Sequence, residues 1–211
     1  DGFLYLSTGE RNERNRAQRL DDLGGKVLRL TRDGRVPPDN PFVGQPGARP
    51  EVWSFGHRHP QGLALNPWTG SLWESEFGPR GGDEINIIRR GANYGWPIVS
   101  HGREYWGPRI SSEVTAPGIT DPIHVWVPSV SPSGIAFYDG AAFPGWQGSL
   151  FVATLSTPGL VRLVTRGDAV IGEERLLWDQ QRLRDVVIGP DGRVYLLIDA
   201  PDGGILRLDP A

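Results

Sequence analysis

With 211 residues, 25 Asp and Glu against 22 Lys and Arg, and a formal net charge of −3, the chain is long enough to bury a substantial core. That balance argues against a broad nucleic-acid or anionic-membrane surface, and no apolar run approaches the length of a membrane span. The absence of cysteine excludes disulfides, thiolate metal sites and cysteine nucleophiles. The absence of methionine, with a start at Asp1-Gly2 inside a turn-strand pattern, predicts a processed or truncated piece of something longer.

In chain order, short apolar or aromatic stretches alternate with glycine and proline, and helical periodicity is nearly absent. Only residues 12–23, polar and arginine-rich, fit a short helix as well as a loop. The first unit reads Leu4-Tyr5, KVLRL (26–30) and EVW (51–53). The second reads GLALNP (62–67), Leu72-Trp73, EINII (84–88) and HVW (124–126). The third repeats the order with GIAFY (134–138), Leu150-Phe151, LVRL (160–163) and LLW (176–178). The last gives DVVIGP (185–190), Val194-Tyr195 and ILRL (205–208). Four short strands per unit, repeated with variable insertions, predict an all-β fold of β-propeller blades, about four of them. A β-sandwich with coincidental turns is the rival, and the recurrence of one four-element order disfavours it. The first unit lacks its opening strand and the last its closing one, a phase that fits circular closure. Trp53, Trp126 and Trp178 end equivalent strands and are expected to be buried between blades. Insertions at 9–25 and 89–123 are expected to line the binding face.

Residues 72–97 carry more potential ligands than a connection needs. Gly78-Pro79-Arg80-Gly81-Gly82-Asp83 breaks regular structure, and Glu84 to Ile88 resumes it with Ile85 and Ile87 on one face and Glu84, Asn86 and Ile88 on the other. Asp83, Glu84 and Asn86 offer side-chain oxygens, and Gly78 and Pro79 offer carbonyls; hard oxygen ligands on a loop suit calcium better than zinc. A plain hairpin turn uses the same residue types. Arg182 and Arg184 alternate about Leu183, so an extended chain puts two guanidiniums on one face, which suits either an anion with several carboxylates or a solvated strand end. Arg58 with Gln61 has the same two readings. His57 and His59 form an H-x-H pair without an evident third nitrogen or sulfur ligand. Tyr94, Trp96, Tyr105 and Trp106 fit either a sugar-stacking surface or plugs between blades.

Taken together, RHPQGLALNP (58–67), GPRGGDEINII (78–88), NYGWP (93–97), VPSVSPSG (127–134) and RLRDVVIGPDG (182–192) resemble the quinoprotein aldose sugar dehydrogenases of the glucose/sorbosone dehydrogenase family. DGFLYLSTGE at the start and DDLGGKVLRLTRDGRVPPDNPF (21–42) follow the same pattern. The resemblance implies a six-bladed β-propeller, with residues 1–211 forming a partial domain whose N-terminal blades precede Asp1. It implies oxidation of aldose sugars to lactones with pyrroloquinoline quinone (PQQ) and calcium, in a periplasmic or secreted protein.

Carried over residue by residue, the resemblance implies that the carbonyls of Gly78 and Pro79 hold the calcium that anchors the quinone. Arg58, Gln61, Ser129, Arg182 and Arg184 would contact the cofactor, and Glu84 with the Tyr94 backbone would form a second, structural calcium site. The family's histidine base would fall just upstream of Asp1, so residues 1–211 alone are expected to oxidise aldoses poorly. Four positions depart from the pattern: His59 for a usual asparagine, Phe77 for a histidine, Ser156 near a cofactor-binding lysine, and Val127 for an aromatic or polar contact. His59, Phe77 and Ser156 favour a second reading, a non-catalytic calcium-binding propeller that binds a ligand or partner, whereas Arg58, Arg182, Arg184 and the Gly78-Pro79 turn favour the dehydrogenase.

Overall fold

The computed structural model describes residues 1–210 as fourteen strands in four antiparallel sheets. The first sheet holds β1 (Phe3–Thr8), β2 (Lys26–Thr31) and β3 (Val52–Phe55). The second holds β4 (Pro60–Leu65), β5 (Leu72–Glu76), β6 (Asp83–Ile88) and β7 (His124–Trp126). The third holds β8 (Pro132–Phe137), β9 (Leu150–Thr154), β10 (Gly159–Arg166) and β11 (Ala169–Leu176). The fourth holds β12 (Leu183–Ile188), β13 (Val194–Ile198) and β14 (Ile205–Leu208). Each sheet is a meander whose neighbours in sequence are neighbours in space. The only helical turns among the described residues are two short 3-10 segments, Arg14–Gln18 and Pro144–Trp146.

The sheets stack face to face as blades, and residue alternation sets which neighbour each side chain meets. On β9, Leu150 and Val152 join Trp73, Ile85, Ile87 and Trp126 from the second sheet, while Phe151 and Ala153 join Leu183, Val186, Val194 and Leu196 from the fourth. β9 is therefore apolar on both faces and buried throughout. Each such large side chain contributes about 1.5–3 kcal/mol by burial. At the inner edge β4 packs on β8, and β8 on β12. The approach is close enough that a side chain at Gly62 would strike the Ser133 carbonyl, and one at Gly134 would strike Asp185. At Gly62 the obstacle is the neighbouring backbone, and at Gly134 it is first the Asp185 carboxylate, so glycine lets the adjacent inner strands approach.

The four units, their strand order and the insertions at 9–25 and 89–123 stand as the sequence predicts. Two details differ. The fourth strand of the third unit is Ala169–Leu176, so Leu177 and Trp178 lie past its end. Its polar run Glu173-Glu174-Arg175 hid it, although the two-residue Gly167-Asp168 turn pairing Arg166 with Ala169 is a hairpin signal. Of the three tryptophans, Trp126 is buried, whereas Trp53 and Trp178 are half-buried. Trp53 meets Arg29 and Tyr5, and Trp178 lies under Arg175.

Candidate cofactor and metal site

The pairing of β5 with β6 sets Glu74 across from Asn86 and Glu76 across from Glu84. All four side chains fall on the face opposite Trp73, Ile85 and Ile87, so they enter the gap between the first and second blades. Asn86 Nδ2 donates to Glu74 at 3.1 Å, to Glu76 at 3.0 Å and to Glu84 at 3.4 Å. His57 enters from the β3–β4 connection. Its Nε2 is 2.9 Å from Ser54 Oγ, its Nδ1 is 3.4 Å from Glu76, and its ring stacks on Tyr94 at 4.5 Å. A serine, a histidine and a carboxylate in line suggest a hydrolytic triad. All three are buried, so no substrate reaches them.

Glu74 and Glu76 are buried and Glu84 is half-buried. Glu76 also accepts the N–H groups of Arg58 at 2.6 Å and His59 at 3.3 Å, whereas among side-chain and backbone donors Glu74 and Glu84 have only the Asn86 amide, and that pair is under-compensated. Burial, and then the Glu76 charge, push the Glu74 and Glu84 carboxyls well above the usual range. Glu74 Oε1 and Asn86 Oδ1 are buried without a partner. Potential ligand atoms of His57, Glu74 and Glu76 lie within 4.8 Å of one another. Beside them is a small cavity of ≈ 20 Å³, lined among others by Arg58, Glu76, Gly78, Glu84, Tyr94 and Trp96. That is room for a water or an ion. Uncompensated hard oxygens around such a space fit a calcium-type cation. Glu84 and Tyr94 both line this cavity. Glu74 and Glu76 are additional, and their signal in the sequence was the Glu-x-Glu alternation facing Glu-x-Asn across the turn.

Gly78 and Pro79 border an open cleft of ≈ 950 Å³ that Tyr105, Val127, Ser129 and Ser156 also line. Among the described residues neither carbonyl accepts a hydrogen bond. A side chain at Gly78 would overlap the Gly81 and Gly82 backbone, so the turn closes only with glycine there. Asp83 is not a free ligand: its carboxylate faces Gly78, Ser129, Val130 and Ser131, all as donors.

Of the remaining predicted contacts, Ser129 precedes β8 and lines the cleft, whereas Arg182 and Arg184, at the start of β12, line neither the cleft nor the small cavity. Ser156 Oγ donates to the Ser129 carbonyl at 3.2 Å, and Arg182 Nη1 to the Leu155 carbonyl at 3.0 Å. Arg182 and Arg184 share Asp199, at 2.8 and 3.1 Å, and together hold its carboxyl below the usual range. Arg58 sits apart in the small cavity, donating to the Phe77 carbonyl at 3.0 Å over the face of Trp96, with its buried Nε unpartnered. Gln61 donates only to the Pro60 carbonyl. The two histidines of the H-x-H pair diverge: His57 enters the carboxylate cluster, and His59 lies 5.4 Å from the Phe77 ring. The aromatic candidates divide as well. Tyr94 and Trp96 are buried plugs, whereas Tyr105 and Trp106 are exposed.

The family model for glucose/sorbosone dehydrogenases matches residues 1–207. The chain belongs to that family. It is similar to the aldose sugar dehydrogenase YliI of Escherichia coli, at 46% identity over 99% of this chain and 57% of YliI. It is also similar to quinoprotein glucose dehydrogenase B of Acinetobacter calcoaceticus, at 30% identity over 88% of this chain and 50% of that protein. Among solved structures, a glucose dehydrogenase superposes with a TM-score of 0.97 at 52% identity, covering all of this chain and 62% of the other. The PQQ-bound aldose sugar dehydrogenase of Streptomyces coelicolor superposes at 0.78 and 34% identity, over 98% of this chain and 58% of the other. The chain therefore spans about half to three-fifths of the length of these relatives, and its four sheets are part of their propeller.

Proposed function

We propose that residues 1–211 are the part of a PQQ- and calcium-dependent aldose sugar dehydrogenase that holds the calcium and one wall of the quinone site, in a periplasmic or secreted protein whose product is a lactone. The observation that carries this reading is the pair of free carbonyls at Gly78 and Pro79, on a cleft shared with Ser129 and backed by an under-compensated carboxylate cavity. When bound, PQQ supplies a two-electron acceptor for the anomeric carbon, and calcium supplies a Lewis acid beside it. Within this chain, the Gly78 and Pro79 carbonyls would anchor the cation, and Arg58, Arg182 and Arg184 would meet the cofactor's carboxylates by charge-assisted hydrogen bonds. Glu84, Glu76 and the Tyr94 carbonyl would hold a second cation that braces the first blade on the second.

The test is calorimetric titration of the protein with PQQ in the presence and absence of calcium, followed by dye reduction with glucose and other aldoses in the parent protein. Calcium-dependent PQQ uptake supports the reading; no uptake under any condition removes it. The pairing of both arginines with Asp199 favours the alternative, a calcium-binding propeller without redox chemistry, because one of the two positive charges is already neutralised. That alternative predicts calcium binding with no PQQ binding.

A further inference from the structure

Asp83 opens β6 and is fully buried, yet it lies between two adjoining segments, 78–82 and 127–131, that both line the open cleft. Its Oδ1 accepts the Gly78 N–H at 2.8 Å. Its Oδ2 accepts the Ser129 hydroxyl at 2.6 Å and the N–H groups of Val130 at 2.8 Å and Ser131 at 2.7 Å. Ser131 has a φ of +53°, and this left-handed turn aims two successive N–H groups at one oxygen, an anion-holding backbone nest. All four partners are donors, so the arrangement calls for an ionised acceptor. Among the described residues the 78–82 turn has no hydrogen-bonded link to Ser129 other than through Asp83; a bond from Gly82 N–H to the Trp126 carbonyl at 2.8 Å lies beside it.

We infer that Asp83 is a positioning residue: its carboxylate pins the Gly78 peptide and the Ser129 hydroxyl to each other and so fixes the spacing of the two segments before any ligand enters. The cofactor arm of this inference rests on the reading of the cleft as the PQQ site; the pinning itself does not. Asparagine at this position keeps the volume but turns an N–H₂ toward groups that are themselves donors, so at least one of the four bonds is lost. Ser129→Ala removes only the hydroxyl contact and leaves the three backbone donors in place.

The experiment compares wild type with Asp83→Asn, Asp83→Glu and Ser129→Ala by amide hydrogen exchange without cofactor, and by PQQ titration with calcium present. For Asp83→Asn, exchange at Gly78, Val130 and Ser131 is expected to rise together by about tenfold or more, while the β9 and β10 amides keep their protection. PQQ affinity is expected to fall by roughly tenfold, with Asp83→Glu recovering part of the loss because it keeps the acceptor. Unchanged exchange in both loops, or an equal rise in every strand, would overturn the pinning role. If wild type takes up no PQQ, the cofactor reading fails, and the exchange arm still decides whether Asp83 joins the loops. If PQQ binds all forms equally while the two loops loosen, the positioning role toward the cofactor is refuted.

Discussion

Glu84, half-buried, lies directly across the β5–β6 ladder from the buried Glu76, and the two carboxylates share the Asn86 amide while Glu76 alone has backbone N–H donors, from Arg58 and His59. Such an arrangement is costly without a cation or bound protons. We expect calcium to raise the melting temperature of the wild-type protein and a chelator to reverse it. Glu84→Gln should melt higher than wild type in chelator, because one repelling charge is gone, and should gain less from calcium. A tenfold weaker site corresponds to about 1.4 kcal/mol less stabilisation under saturating conditions. Melting curves in both buffers check it; equal calcium gains in the two proteins would move the cation away from Glu84.

Arg58 lines the small cavity, and Arg184 pairs with Asp199. Arg58→Ala and Arg184→Ala should each weaken PQQ binding by about 1.5–3 kcal/mol, the range for hydrogen bonds to charged groups. Arg58→Ala should also lower stability, since the Phe77 carbonyl loses its donor. Calorimetry separates the two effects, and unchanged affinity in both variants would exclude the arginines from the cofactor.

Acid sensitivity has an identifiable contributor away from the site. Arg16, with help from the Gly24 N–H, holds the Asp22 carboxyl at about 2 against an ordinary 3.8. The native state keeps Asp22 ionised where the unfolded chain takes up a proton. Its contribution is therefore full above pH 3.8 and is lost as pH falls through about 2. Asp22→Asn should flatten the acid limb of the stability profile in that window and leave the profile's slope near neutral pH unchanged. Fluorescence-monitored acid unfolding of the two proteins reads this directly.

Trp73 is fully buried between the second and third blades, edge-on to Phe137 at 5.2 Å. Trp73→Ala should cost about 3–5 kcal/mol, the range for removing a large aromatic from a core. Denaturant titration checks it. A loss under 1 kcal/mol would mean that the blades do not depend on this contact.

Strand positions were legible because propeller strands alternate, and alternation survives in Leu72-Trp73 and Glu84 to Ile88 without knowledge of the neighbours. β11 was misplaced because its outer face is solvated, so charge at Glu173, Glu174 and Arg175 masks the period. The site was legible only in part. Glu84 and Gly78 could be named from the turn, but the Glu74–Glu76 contribution depends on which face the ladder presents to the first blade. Asp83 was counted as a possible ligand, and only the approach of residues 129–131 shows that its oxygens are spent on peptide N–H groups. Asp199, fifteen residues beyond Arg184, enters through a long-range pairing that no local pattern carries.

The two long insertions are not independent. Arg14 forms a fork with Glu104 at 2.5 and 2.7 Å, and Gln18 exchanges amide hydrogen bonds with Asn93 while also donating to the Trp96 carbonyl. Segments roughly 75 to 90 residues apart thus hold one another. For anyone grafting loops between members of this family, residues 9–25 and 89–123 form a single exchangeable cassette. A chimera that swaps one alone breaks a matched pair, and a chimera that swaps both keeps it.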